Sequence, residues 1–123
     1  MEYVLGFAIS GDAVLVRSHD LFPPRNGIGG KIESGETPGG AMQREWSEET
    51  GVAPLDRWVK VAILMFPTCD VHVFCSEVKM GVLQAACLLD EECSIWRPGG
   101  EVFPNVPHLV ELCKRRLDYE KDI

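Results

Sequence analysis

Three glutamates, Glu45, Glu48 and Glu49, sit at i, i+3 and i+4 in a stretch whose two ends both read as helix termini. Thr37 is a good N-cap, and Pro38 follows at the first helical position, where its missing N–H costs nothing. Residues 41–50 are mostly helix formers, despite the Gly39-Gly40 pair near the start. Gly51 falls where a left-handed residue after the last turn is wanted. At about 100° per residue, the three acids lie within roughly 100° of one another on the helix surface. Met42 and Trp46, four residues apart, form an apolar stripe beside them. Such a helix rests on a sheet through that stripe and presents its acids at the rim. Like charges at these spacings repel, so the arrangement calls for a neutralising partner. Magnesium suits it, being a hard cation that takes carboxylate oxygens. A solvated acidic face is the bland alternative. Arg44 tips the balance, because it is placed to pair with Glu48 at i+4 and orient a carboxylate. Upstream, Gly27, Gly29 and Gly30 give a backbone able to bend sharply and approach a ligand closely.

The rest of the chain supplies the sheet. Residues 3–10 and 13–17 are apolar and β-rich, and Gly11-Asp12 between them signals a two-residue turn, so they form a hairpin. Residues 19–30 are rich in Pro and Gly and read as a loop leading into a short segment over 29–33. Residues 58–66 and 71–79 are two further strands, separated by a turn at 67–70. Asp90-Glu91-Glu92 and residues 97–101 are loops flanking a short strand over 93–96. Residues 106–119 carry Leu109, Val110, Leu112, Cys113 and Leu117 at helical spacing, with Lys114-Arg115-Arg116 near the end, where cations suit the helix dipole. The expected architecture is α/β, a mixed sheet covered by helices.

At 123 residues the chain is expected to form one domain, residues 1–123, with a real core. No apolar run approaches the roughly 20 residues that span a bilayer. The first residues carry Glu2 where a signal peptide would be basic, which points to the cytoplasm. A formal charge of −7 argues against nucleic-acid and membrane partners. It leaves room for a small phosphate substrate, because a metal ion reverses the local sign. Cys69, Cys75, Cys87, Cys93 and Cys113 make an odd set with no CxxC pair, and fit free thiols in a reducing compartment. Nothing in the sequence specifies an oligomeric state.

The run Gly30-x5-Glu36-x7-Arg44-Glu45-Trp46-Ser47-Glu48-Glu49-Thr50-Gly51-Val52 resembles the Nudix box, G-x5-E-x7-R-E-U-x-E-E-x-G-U with U apolar, at every fixed position. With residue frequencies of roughly 5–7%, seven such identities coincide by chance at only a few starting points in a billion. The resemblance implies a Nudix-type α/β/α sandwich with a catalytic loop-helix-loop and a C-terminal helix. It also implies hydrolysis of a nucleoside diphosphate linked to some other moiety. Glu45, Glu48 and Glu49 would hold Mg2+, with Mn2+ as the substitute, joined by the backbone carbonyl of Gly29. Arg44 would orient one of the acids, and Glu36 would be the structural acid of the loop. Many relatives take a further acid from a distal loop, as ligand or general base; Glu91 is the expected one here, with Asp90 and Glu92 beside it.

Two features outside the box lean towards a nucleoside triphosphate. The run Arg25-Asn26-Gly27-Ile28-Gly29-Gly30-Lys31 resembles a W-N-G-x-G-G-K segment of oxidised-purine triphosphatases, with Arg25 in place of the tryptophan. There the asparagine contacts the base, so Asn26 is a candidate. Lys31 is a candidate phosphate contact. Phe103-Pro104-Asn105-Val106-Pro107 looks like the segment before the last helix of MutT-type enzymes, where an asparagine amide reads the oxidised guanine. Asn105 would take that role, or act simply as an N-cap. The expected reaction is conversion of a (deoxy)nucleoside triphosphate, 8-oxo-dGTP among the candidates, to monophosphate and pyrophosphate. Pro67, fifteen residues past the box, keeps ADP-ribose hydrolysis open as the runner-up. A catalytically silent nucleotide-binding domain is the reading from another class. Trp46 and Trp58 read as packing residues, and Trp96 as a strand tryptophan or a base-stacking one.

Overall fold

The computed structural model describes residues 1–19 and 22–121. Its elements are β1 (Glu2–Ser10), β2 (Ala13–His19), β3 (Phe22–Asn26), β4 (Ile28–Lys31), α1 (Pro38–Thr50), β5 (Val59–Phe66), β6 (Cys69–Glu77), α2 (Met80–Leu89), β7 (Cys93–Trp96) and α3 (Val106–Lys121). The strands form one mixed sheet in the order β3-β2-β1-β6-β5, with β4 also pairing β1 and β7 also pairing β2. β1 and β6 run parallel, and the other pairs are antiparallel.

Both faces of the sheet are covered, which explains why its central strands read as nearly continuous apolar runs. Along β1, Phe7 and Ile9 pack into one core while Val4 and Ala8 pack into the other. Along β2, Val14 and Val16 go one way and Ala13 and Leu15 the other. The first core is closed by α3 through Val106, Leu109, Val110, Cys113 and Leu117. The second is closed by α1 through Ala41, Met42 and Trp46, and by α2 through Leu83 and Ala86. The result is the expected sandwich. Among the described residues, no helix is long and apolar enough to cross a membrane.

Helix α1 has the ends its sequence announces. The Thr37 hydroxyl accepts from Gly40 N–H at 3.0 Å, Pro38 opens the first turn, and Gly51 closes the last at φ +75°. Met42 and Trp46 are fully buried, and each contributes about 1.5–3 kcal/mol by leaving water. Trp46 donates to the Ala53 carbonyl at 3.1 Å and meets Trp58 edge to face, centroids 5.6 Å apart. Helix α1 is thereby fixed in rotation as well as position.

Two elements differ from expectation. Part of the loop expected over 19–30 is strand: β3 and β4 occupy it, while residues 20 and 21 lie outside the described residues. Pro23 and Pro24 lack N–H donors, and β3 accommodates them because it is an edge strand. Helix α2 was not expected at all. The remaining elements fall where the sequence puts them, including β7 at Cys93–Trp96. Trp96 is buried in the α3 core and donates to the Gly100 carbonyl at 3.0 Å, so it is a packing residue. All five cysteines are free thiols.

Candidate active site

The site forms where β4, the loop after it and the edge of α1 meet. Arg44 is its organising cation. Its Nε and Nη2 grip both oxygens of Glu36 at 2.7 and 2.8 Å, and Nη2 also donates to the Lys31 carbonyl at 3.0 Å. Nη1 reaches Glu45 Oε1 at 2.8 Å and Glu48 Oε2 at 3.2 Å. The expected Arg44–Glu48 pair is present, yet the tighter bonds go to Glu36 and Glu45. Glu36 also accepts from the Glu33 amide at 2.8 Å. The Arg44 bonds, followed by the Glu33 amide, hold the Glu36 carboxyl down at about 2. Arg44 itself is raised, chiefly by its bond to Glu36.

Glu45 and Glu49 face inward, with side chains only 13% and 14% exposed, whereas Glu48 is 60% exposed. A Cβ on Gly29 would collide with the backbone carbonyl oxygen of Val4, so only glycine allows this approach, and one on Gly30 would displace the Glu45 carboxylate. Glu49 Oε2 is buried and accepts no hydrogen bond among the described residues. Burial, above all, pushes the Glu49 carboxyl up to about 7; Arg17 opposes the rise, the neighbouring Glu45 adds to it, and the Gly29 backbone moderates it.

Two half-buried carboxylates side by side, one oxygen lacking a hydrogen bond, against a glycine backbone, are a donor set that fits a hard divalent cation. Glu48 is turned back to Arg44, and among the described residues no three acidic, histidine or cysteine side chains converge on one point. Glu45 and Glu49 are therefore the pair the fold brings together, with Glu48 on the same helix but turned to Arg44 and solvent.

Arg17 was missed by sequence reasoning. It lies at the far end of β2, with Nε 3.0 Å from Asp90 Oδ2 and Nη1 3.2 Å from Glu49 Oε2, the latter an ion pair without hydrogen-bond geometry. Burial pulls its pKa down, but the Asp90 bond and the two carboxylate charges outweigh this and raise it. Asp90 is fully engaged, since Oδ1 accepts from the Glu92 amide at 2.8 Å. Glu91 is exposed and lines a groove of about 500 Å³ together with Glu48, Glu49, Leu88, Leu89 and Asp90. A slightly larger cleft, about 580 Å³, lies between α3 and the ends of β5 and β6, and none of the box acids lines it.

The base-reading candidates lie on neighbouring segments. Phe103 N–H donates to the Arg25 carbonyl at 2.7 Å, docking the chain before α3 against β3, which carries Asn26. Asn26 Oδ1 accepts from Gly27 N–H at 2.8 Å. Asn105 occupies the N-cap position, its carbonyl accepting from Leu109 N–H at 3.0 Å, but its side-chain Oδ1 is buried without a hydrogen bond among the described residues. The Lys31 side chain is exposed.

A sheet between helices, with a glycine-flanked loop leading into an acid-edged helix, places two inward carboxylates against a backbone open to a ligand. The sequence profile of the NUDIX domain matches residues 3–97, and the chain belongs to the Nudix family. Solved structures share its fold at low identity. A NUDIX-family hydrolase from Clostridium perfringens is 16% identical, with TM-score 0.68 over 93% of this chain and 96% of that one. The NUDIX domain of Shewanella oneidensis NrtR, complexed with ADP ribose, is 14% identical, with TM-score 0.72 over 95% and 88%. A MutT from a study of Aliivibrio salmonicida and Vibrio cholerae is 16% identical, with TM-score 0.66 over 92% and 95%. The protein is thus a Nudix hydrolase acting on pyrophosphate bonds, in a family that generally uses divalent metals.

Proposed function

We propose that this chain, acting as one domain over residues 1–123, is a Mg2+-dependent cytoplasmic pyrophosphohydrolase of a (deoxy)nucleoside triphosphate. It releases the monophosphate and pyrophosphate, and 8-oxo-dGTP is the first candidate substrate. The observation that carries the substrate reading is the Asn105 amide oxygen, buried and without a hydrogen bond, on a segment docked beside Asn26. A buried acceptor without a donor is costly, and a ligand N–H is what would satisfy it.

Glu45, Glu48 and Glu49, with the Gly29 backbone, would hold the metal, and Mn2+ would serve in place of Mg2+. The bound cation would polarise a phosphoryl oxygen and lower the pKa of a water. Arg44 keeps Glu45 oriented and ties α1 to the Glu36 loop. Glu91, projecting into the groove beside Glu48 and Glu49, takes the proton from the attacking water. Lys31 contacts a phosphate, and Asn26 and Asn105 hold the base.

The test is a product-resolved hydrolysis assay with Mg2+ on 8-oxo-dGTP, the four normal dNTPs and ADP-ribose. Monophosphate plus pyrophosphate, with preference for the oxidised guanine, is the expected result. AMP and ribose phosphate from ADP-ribose alone would replace this reading with that of the runner-up. In that case Pro67, in the tight turn between β5 and β6, would be the better clue.

A further inference from the structure

Glu49 is as deeply placed as Glu45, yet Arg44, the box arginine, does not pair with it: the ion-pair partners of Arg44 are Glu33, Glu36, Glu45 and Glu48. The cation facing Glu49 among the described residues comes from outside the box. It is Arg17, 3.2 Å from Glu49 Oε2 and itself only 23% exposed. We propose that Arg17 is a built-in counter-cation for Glu49, occupying the divalent ion's electrostatic role until the ion displaces it. This rests on reading Glu49 as a metal ligand.

The surroundings fix Arg17 in place, so it is not a chance neighbour. The β2–β7 register sets Arg17 opposite Cys93, immediately after the acidic turn. Ser18 N–H donates to the Glu92 carbonyl at 2.9 Å, and Cys93 N–H to the Asp90 carbonyl at 3.1 Å, so the turn is fixed at both ends. Asp90 then anchors the Arg17 Nε at 3.0 Å. With Nε held, the guanidinium remains at the groove when Nη1 gives up Glu49. The planar fork allows this division of labour, and a lysine ammonium has no second arm with which to reproduce it. Two acidic side chains against one guanidinium also leave the groove without surplus positive charge to repel an incoming cation. Arg17 is thus a positioning residue, holding Glu49 and the turn that bears Glu91 in register before the metal arrives.

The decisive comparison uses the purified full chain with Mn2+ alone as the probe. Arg17→Met keeps the length of the side chain and removes its charge. Its melting temperature in EDTA should fall by roughly 4–8 °C. Its Mn2+ affinity by titration calorimetry should rise about tenfold, because a competing cation beside the ligand is gone. Arg17→Lys should stay within about threefold of the wild-type affinity, since the charge is retained. An Arg17→Met affinity equal to or weaker than wild type would reduce Arg17 to an ordinary structural ion pair and overturn the proposal. Equal Mn2+ binding by wild type and Glu49→Gln would instead remove the metal reading of Glu49, and the proposal with it. Should Arg17→Met not fold, 15N NMR of the wild-type guanidinium groups carries the test. The Arg17 Nη signal must move on Mg2+ titration, and an unmoved signal overturns the displacement.

Discussion

Arg44 and Glu36, eight residues apart in the chain, face each other through a two-pronged ion pair of 2.7 and 2.8 Å, so the loop and the helix of the box are one rigid piece. A bidentate guanidinium–carboxylate bond fixes orientation as well as distance. Glu36→Gln keeps the shape and removes the charge. It should raise the Mg2+ concentration needed for half-maximal activity by about 10–100-fold while the fold persists, read by activity titration and circular dichroism. Because the Glu36 carboxyl is depressed to about 2, its stabilising effect is present above pH 4.5 and is lost as pH falls towards 2. The same substitution should therefore flatten that part of an acid-unfolding curve.

Glu48 and Glu49 differ in burial, and their variants should differ in stability but not in outcome. Alanine at either position should lower kcat/KM by at least about a hundredfold. Glu48→Ala should leave the melting temperature within about 2 °C of wild type, since the side chain is largely in water. Full activity in either variant would remove the metal-helix mechanism.

The raised carboxyl of Glu49 makes a signed prediction for the metal-free protein. A carboxyl near 7 in the fold and 4.5 when unfolded binds its proton more tightly in the native state. The stabilisation it gives is complete below pH 4.5, declines as pH rises from there to 7, and is gone above. Urea midpoints measured in EDTA should fall across that window. With Mg2+ the fall should vanish, because the ion favours the deprotonated form. In Glu49→Gln the corresponding slope should be absent with or without metal.

Asn105 offers a test in which stability and function separate. Its buried amide oxygen makes no hydrogen bond among the described residues, so Asn105→Ala removes an unsatisfied group and should cost little stability. The variant should nevertheless lose about tenfold or more of any preference for 8-oxo-dGTP over dGTP in competition assays. An unchanged preference would return Asn105 to a plain capping role.

Gly30 closes the predictions. Alanine there would drive a methyl into the Glu45 carboxylate, so Gly30→Ala should impair Mg2+ activation by at least about tenfold. Activation curves for the two proteins provide the measurement.

The legible parts of this molecule are those whose causes lie close together in the chain. Thr37, Pro38 and Gly51 bound α1 by local chemistry, and the box reads straight through it. Helix α2 escaped because Lys79, its N-cap residue, makes no side-chain capping bond, and because Met80 to Leu89 is apolar almost throughout, without a clear stripe. β3 escaped because Pro23 and Pro24 look like loop residues until the sheet shows that the strand is an edge. Arg17 escaped for a deeper reason. Its partner Asp90 is 73 residues away, and only the β2–β7 register brings the two together.

The sheet's two sealed faces have a consequence for how such a protein changes over time. The acid-bearing helix α1 belongs to one core, and α3, with the Asn105 segment that leads into it, belongs to the other. Substitutions that repack one side need not disturb the other, because β1 and β2 present different side chains to each. On the proposed roles of Glu49 and Asn105, the blade and the grip can therefore drift independently: descendants of one ancestral chain can exchange what they hold while keeping how they cut.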